Sequence, residues 1–267
     1  EGIGSNYWDL LPFGGEDALA TVYYYDALLD LAELEAAAAA HPAWGVPAEG
    51  AFDPADLRRF AQEVKDYGGK RFWNPATGRF GTVDLDGVLH DHGFTFLNNE
   101  AVYYDFASPE QAKSIHAWIS GARTVEGDAS AGRDIYRWRF GPRSTTRRNI
   151  DYYFWAWSAP ESVPWGYQVQ DGGAVLGFSY HDLMARLKTA GPDDAWRRLR
   201  VNRLAVAALF VLCAVGAGVV AGPWAAPHAY DAQDTALGAV GPRAGHWLGT
   251  DPLGRDLLAR PLQRGRV

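Results

Sequence analysis

Cysteine and targeting signals are almost absent from this sequence. The only cysteine, Cys213, lies inside an apolar run, which excludes a disulfide framework or a thiolate metal site within one chain. The chain begins with Glu1-Gly2-Ile3, without an initiator methionine, a basic region or a cleavage site. The sequence therefore shows no signal peptide, and we expect the chain to be a fragment at its N-terminus.

Basic residues are scarce in the first part of the chain, and aromatic residues are scarce in the last part. Residues 1–195 carry 28 acidic against 16 basic side chains, whereas residues 196–267 carry 4 against 9. The first region also holds 31 of the 36 aromatic residues. Because composition and charge change at the same point, we predict two regions, one at 1–193 and the other at 194–267.

A strand-like alternation of apolar and polar residues is nearly absent from the first region, where only residues 81–84 and the surroundings of Val169 resemble strands. Helix signals are common instead. Asp53 is a predicted N-cap and Gly68 a predicted helix end, and Ser108 with Gln111 forms a capping box. The predicted helices lie at about 17–40, 54–67, 98–106, 109–120 and 174–189. The fold class is therefore mainly α.

Three long connections, at 70–96, 123–148 and 151–173, hold most of the Trp, Asp, Arg and Gly residues. Long loops in a compact domain are usually functional. Aromatic faces pack against the C–H surfaces of sugars, and paired carboxylates can supply the acid and base of glycosidic cleavage. This chemistry predicts contacts between the loops and a carbohydrate.

The candidate catalytic carboxylates are Asp9, Glu100 and Asp171. Asp9 follows two aromatic residues in "SNYWDLLPFGG", and Asp171 precedes two glycines that let a ligand approach the backbone. Glu100 is expected near the start of a helix. Each of the three also fits an ordinary role as a helix cap or a loop acid. Sugar contacts are predicted for a further set of aromatic and polar loop residues: Trp8, Asp91, His92 and Trp165.

The stretch "TVDLDGVLHDHGF" combines a D-x-D spacing with an H-D-H run. Metal signatures place their ligands at fixed spacings on known elements, and this stretch matches none of them. We therefore favour loop hydrogen bonding and sugar contacts, and expect no metal, no cofactor and no nucleic-acid partner. The basic cluster of Arg143, Arg147 and Arg148 fits either a clamp for an anionic substrate or, as we favour, pairing with nearby acids.

Two stretches, "NYWDLLPFGGEDALATVYYYDALLDLAELE" and "QVQDGGAVLGFSYHDLMARL", resemble the six-hairpin (α/α)6 glycosidases, the class that includes rhamnosidase-like enzymes and related phosphorylases. The resemblance covers about residues 1–195 and implies an incomplete toroid of paired helices with the sugar site in its loops. It implies that Asp9 is the general acid and that Gln170, Asp171 and Gly172 lie near the sugar. The base stays open among Glu100, Asp91 and Asp171. Because a complete toroid is longer, we expect missing hairpins, and activity of the fragment is left open.

The second region contains a long uncharged run from Leu204 to Pro227, long enough to span a bilayer as a helix. We predict a transmembrane helix at about 204–226. Four arginines precede it, and the positive-inside rule places that end, with the region before it, in the cytoplasm. The alternative is a buried helix of a soluble protein. The arginines are Arg197, Arg198, Arg200 and Arg203.

The stretches "WRRLRVNRLAVAAL", "PWAAP" and "HWLGTDPLGRDLLAR" look like the N-terminal part of the permease subunit of dipeptide/oligopeptide ABC transporters. This resemblance covers about residues 194–267. It implies a bilayer and other transporter subunits as partners, and structural contacts rather than catalysis for Arg255 and Asp256. The sequence stops where the transport core would begin, so we do not expect transport by this chain alone.

Together these patterns favour a fragment of a glycoside hydrolase joined to a truncated permease N-terminus. The alternatives are a membrane transport component and a membrane-anchored sugar-binding module without catalysis. The joint falls in "PDDAWRRLRVNRL", which suits the end of one part and the start of the other. We therefore hypothesise a chimera with an artificial or recent junction near residues 193–200.

Overall fold

The computed structural model describes most of the chain in two compact units, Glu1–Val201 and Asn202–Val267. The described residues are 15–47, 52–149, 159–225, 228–229 and 231–260. Helices dominate the first unit, and short strands lie between them. The predicted division near residue 193 stays a prediction about sequence origin.

The first unit opens with a pair of helices, α1 (Ala18–Ala40) and α2 (Pro54–Arg71), which pack against each other. The predicted cap of α2 is present, since the Asp53 carboxylate accepts the Ala55 backbone N–H at 2.7 Å. Asp17 caps α1 in the same way, at 2.9 Å from the Ala20 nitrogen. The predicted end at Gly68 is wrong, because α2 continues to Arg71. A Cβ atom at Gly68 would come within 2.6 Å of the Phe106 ring, so this glycine serves helix packing.

Two antiparallel hairpins follow α2 and occupy the first long connection. Strand β1 (Trp73–Asn74) pairs with β2 (Arg79–Phe80), and β3 (Thr82–Val83) pairs with β4 (Leu89–His90). The predicted strand at 81–84 therefore corresponds to β3. Val169 lies outside the strands, in a loop next to an isolated bridge of Gln168.

Four more helices complete the first unit: α3 (Thr95–Tyr103), α4 (Pro109–Ile119), α5 (Phe178–Ala190) and α6 (Pro192–Leu199). The capping box of Ser108 and Gln111 starts α4 as predicted. Helix α3 starts earlier than predicted, which puts Glu100 inside it instead of at its start. It packs mainly against α5, and α5 packs against α6.

The predicted toroid of paired helices is not seen in the part of the first unit that the structure describes. Among the described residues α1 and α2 form a helical hairpin, and the chain between α4 and α5 is largely irregular. Buried polar side chains hold these connections in place, as described below. The structure thus shows a largely helical fold with short strands, and the incomplete toroid stays a prediction.

The second unit contains α7 (Arg203–Ala225) and a segment of turns, here called the distal segment, residues 228–260. Helix α7 is long and apolar enough to cross a membrane, and no side chain of Arg203–Ala221 is buried. Its bounds agree with the predicted span of 204–226, of which residue 226 lies outside the described part.

Candidate functional site

Glu100 is a buried carboxyl group in the middle of α3. Its Oε1 atom lies 3.4 Å from Nδ1 of His181 on α5. Burial raises the pKa of Glu100 to about 7, and a hydrogen bond from Tyr23 only partly offsets this rise. Burial also lowers the pKa of His181. A carboxyl group that stays protonated near neutral pH can act as a general acid.

An aromatic cluster lies around His181, next to this carboxyl group. The rings of Tyr103 and Tyr104 lie 5.2 and 5.8 Å from the His181 ring, and the Tyr180 ring lies 5.2 Å from it. Tyr23 contacts Tyr104 edge to face. Since Tyr23 and Tyr180 are 40% and 52% exposed, solvent reaches the outer side of the cluster, which offers flat faces of the kind that bind sugars.

The Asp91 carboxylate has internal donors on both oxygens. Its Oδ1 accepts from Arg79 Nε at 2.7 Å and from the Gly93 backbone at 3.0 Å. Its Oδ2 accepts from the Thr77 hydroxyl and the Asn74 amide. These contacts hold the first long connection together. They do not test the role of Asp91 in substrate binding, which stays a prediction.

Arg79 links Asp91 to a second buried carboxylate, Asp128. The guanidinium donates to Asp128 at 2.6 and 2.9 Å and stacks over Trp118 at 4.6 Å. The Asp128 carboxylate also accepts from Thr146 and Trp118. We call this set of residues the Arg79 network. A buried guanidinium between two carboxylates is stable only as a complete set, because each group alone would be a desolvated charge.

Asp171 is fully buried in the last long connection. Arg148 binds its Oδ2 at 2.9 Å, and the Asn149 backbone donates to Oδ1 at 3.2 Å. Burial raises the pKa of Asp171, although Asn149 and Arg148 oppose the rise. The pairing of Glu100 with Asp171 as acid and base stays a prediction.

Gly172 and Trp165 lie beside Asp171 and pack against each other. Gly172 has a φ of +78°, and a Cβ atom there would meet the Trp165 ring at 2.5 Å. Its carbonyl accepts from Arg143 at 2.6 Å, and the Trp165 indole donates to Ser130 at 2.9 Å. The glycine is thus required by close packing within the loop.

The segment 143–149 connects the two groups of predicted sugar-binding residues. On one side Arg147 donates its backbone N–H to the His92 carbonyl at 3.0 Å. On the other side the Asn149 amide donates to the Gln170 carbonyl at 2.9 Å. Burial lowers the pKa of His92 to about 4, so its ring is neutral at pH 7.

The basic cluster pairs with acids, as favoured from the sequence. Arg143, Arg147 and Arg148 lie 3.1, 3.6 and 2.9 Å from the carboxylates of Asp134, Asp128 and Asp171. Trp8 and Asp9, the other predicted site residues, lie outside the described part of the chain. Sequence reasoning missed Tyr23 and His181, whose only signals are aromatic runs in helical stretches.

The distal segment has a polar framework of its own. Asp251 accepts from the Arg255 and Arg260 side chains at 2.7 and 3.1 Å. Asp256 lies 2.8 Å from His246 Nδ1. The Thr250 hydroxyl donates to the Gly238 carbonyl at 2.6 Å. Residues of the "HWLGTDPLGRD" stretch therefore hold a set of turns, in line with the structural role expected for Arg255 and Asp256.

Comparison with known proteins supports the second of the two resemblances. Residues 193–240 match the family described as the N-terminal TM domain of oligopeptide transport permease C. This interval includes most of α6, all of α7 and the start of the distal segment. No solved structure matches the chain.

Curated relatives give the same result. The dipeptide transport system permease protein DppC of Bacillus subtilis is 40% identical over 86 residues, which are 32% of this chain and 27% of that protein. The oligopeptide transport system permease protein OppC of Escherichia coli K12 is 43% identical over 77 residues, 28% of this chain and 26% of that protein. The match thus spans about a quarter of these relatives, and neither they nor the family match support the glycosidase resemblance of residues 1–195.

Proposed function

We propose that α6, α7 and the distal segment serve as the membrane-inserted N-terminal part of a peptide ABC permease. The observation that carries this proposal is the family match over residues 193–240, together with a helix that leaves its apolar side chains unburied over Arg203–Ala221. An apolar helix of this length is stable in a bilayer, where its backbone groups are satisfied internally.

The proposal includes an orientation and partners. The arginines before α7 lie on the cytoplasmic side by the positive-inside rule, and the distal segment lies on the opposite side. The partners are the other subunits of a peptide ABC transporter. Helices α6 and α7 and the distal segment anchor the chain in the membrane and contribute contacts for assembly with these subunits.

A graft tests this function. The matching N-terminal segment of the Escherichia coli OppC protein is replaced by residues 193–260 of this chain, and peptide-dependent growth is measured in cells lacking their own OppC. We expect the graft to support growth, and a matched graft with Val215→Asp in α7 to fail. Loss of growth with the unmodified graft, at a normal amount of membrane-inserted protein, would contradict the proposal.

A second candidate function concerns residues 1–193, as a carbohydrate-binding or glycoside-hydrolysing part. One specific observation favours it: burial raises the pKa of Glu100 to about 7, and its hydrogen-bond partner Tyr23 is partly exposed. This proposal gives Glu100 the acid role that the resemblance gave to Asp9. Asp9, Asp91 and Asp171 are then the other candidate carboxylates, and the sugar contacts comprise Trp8, Asp91, His92, Trp165, Gln170 and Gly172.

A panel of aryl glycosides tests this second function with the full chain. We expect turnover that Glu100→Gln reduces at least about 100-fold, the usual range for a lost general acid. The matched control is Glu110→Gln on the exposed start of α4. Sugar binding with no turnover would support the binding module, and the absence of both would remove the candidate.

A further inference from the structure

We propose that His228, His246 and Asp256 form a binding site for a divalent transition metal in the distal segment. One ligand atom of each residue can be chosen so that all three lie within 4.8 Å of one another. A tetrahedral zinc ion with bonds of about 2 Å separates its ligands by roughly 3.3 Å. Side-chain shifts on the order of 1 Å would therefore bring the three ligand atoms to the spacing that a zinc ion requires.

Asp256 is fixed before any metal binds. Its Oδ1 accepts the backbone N–H groups of Leu258 and Ala259, each at 2.8 Å. Its Oδ2 faces His246, and the side chain is 3% exposed.

The two histidine rings are also oriented by their neighbours. They stack with centroids 4.7 Å apart and an interplanar angle of 18°. His228 Nε2 lies 3.0 Å from the Gly245 carbonyl, and this contact helps to orient the ring. A metal-binding histidine is commonly held in this way, with its other nitrogen donating to a backbone carbonyl.

The two carboxylates of the distal segment differ in a way that points to a metal. Asp251 is neutralised by the guanidiniums of Arg255 and Arg260, which cannot bind metals. Asp256 faces an imidazole instead. Two imidazoles and one carboxylate leave a fourth position for water, and this donor set suits Zn²⁺, with Cu²⁺ and Ni²⁺ as competitors. The inference does not depend on the proposed transport or sugar function.

Zinc titration of the purified full chain tests the site. The protein carries an affinity tag without histidine, is stripped of metal and is titrated with Zn²⁺ alone at pH 7.5 against a chromophoric chelator. We expect one zinc ion per chain, bound at least 10-fold more weakly by His228→Gln, His246→Gln or Asp256→Asn. His41→Gln is the matched control, since that histidine also stacks on an aromatic ring, that of Trp44, and should leave binding unchanged.

The His228→Gln variant keeps the proposal falsifiable if changes at the more buried residues disturb the fold. Glutamine can still donate to the Gly245 carbonyl, and circular dichroism checks that the helices remain. Equal zinc affinity in this variant and the unmodified chain would overturn the site, as would the absence of stoichiometric zinc binding by the unmodified chain.

Discussion

The two units differ in which side chains they bury and which they expose. The first unit buries charge, since Arg79 is fully enclosed with Asp91 and Asp128. In the second unit, α7 leaves a long apolar surface without protein cover. The first arrangement is stable because every buried charge has a partner. The exposed apolar surface of α7 is stable where the surrounding medium is itself apolar, as in a lipid bilayer. The two units are therefore suited to different surroundings.

The largest expected effect comes from breaking the Arg79 network. Arg79→Met leaves two buried carboxylates without their guanidinium, so we expect the free energy of unfolding of the first unit to fall by about 3–5 kcal/mol. Denaturant titration of the full chain, followed by tryptophan fluorescence, measures the change.

The control for this prediction is Arg59→Met. Arg59 lies 3.0 Å from Asp56 but is 69% exposed, so its removal should change the free energy of unfolding by less than about 1 kcal/mol. Similar losses in the two variants would mean that the first unit does not depend on its buried charges.

The next largest effect concerns α7. Val215→Asp places a charge near the middle of the helix, which costs about 2.5–3.5 kcal/mol of insertion free energy. We expect less chain in the carbonate-resistant membrane fraction and no change in the fluorescence transition of the first unit. Val215→Leu is the control and should insert normally. A variant with aspartate that inserts as well as the control would speak against a membrane-spanning α7.

A smaller, pH-dependent effect is expected from Glu100. The folded state keeps the Glu100 proton up to a pKa of about 7, whereas the ordinary value is 4.5. The folded state therefore binds more protons between these values, and stability falls as pH rises from about 4.5 to about 7. Glu100→Gln should flatten this slope in thermal unfolding measured at pH 5, 6, 7 and 8.

Glu110→Gln is the matched control for the pH profile, because Glu110 is exposed at the start of α4. Its profile should follow that of the unmodified chain. An unchanged slope in Glu100→Gln would show that Glu100 is ionised in the folded state throughout this range.

Features determined by neighbouring residues could be predicted from the sequence. The cap Asp53, the capping box of Ser108 and the extent of α7 depend on residues within a few positions of each other. The end of α2 could not be predicted, because Gly68 is placed by Phe106, far along the chain.

Only part of the candidate site could be predicted, because its residues come together through contacts between distant parts of the chain. Carboxylates such as Glu100 and Asp171 stand out in the sequence by their chemistry. Their partners do not, since Tyr23 and His181 reach Glu100 only through the packing of α1, α3 and α5. The toroid was inferred from resemblance, and long-range packing decides such an architecture.

Cysteine accessibility tests most directly the central claim that α7 crosses the membrane with its arginines on the cytoplasmic side. In a Cys213→Ser background, Trp247→Cys or Arg133→Cys supplies a single exposed thiol on either side of α7. A membrane-impermeant maleimide is then applied to spheroplasts before and after permeabilisation. We predict labelling of Trp247→Cys before permeabilisation and of Arg133→Cys only afterwards. The reverse pattern, or both thiols behaving alike, would contradict the claim.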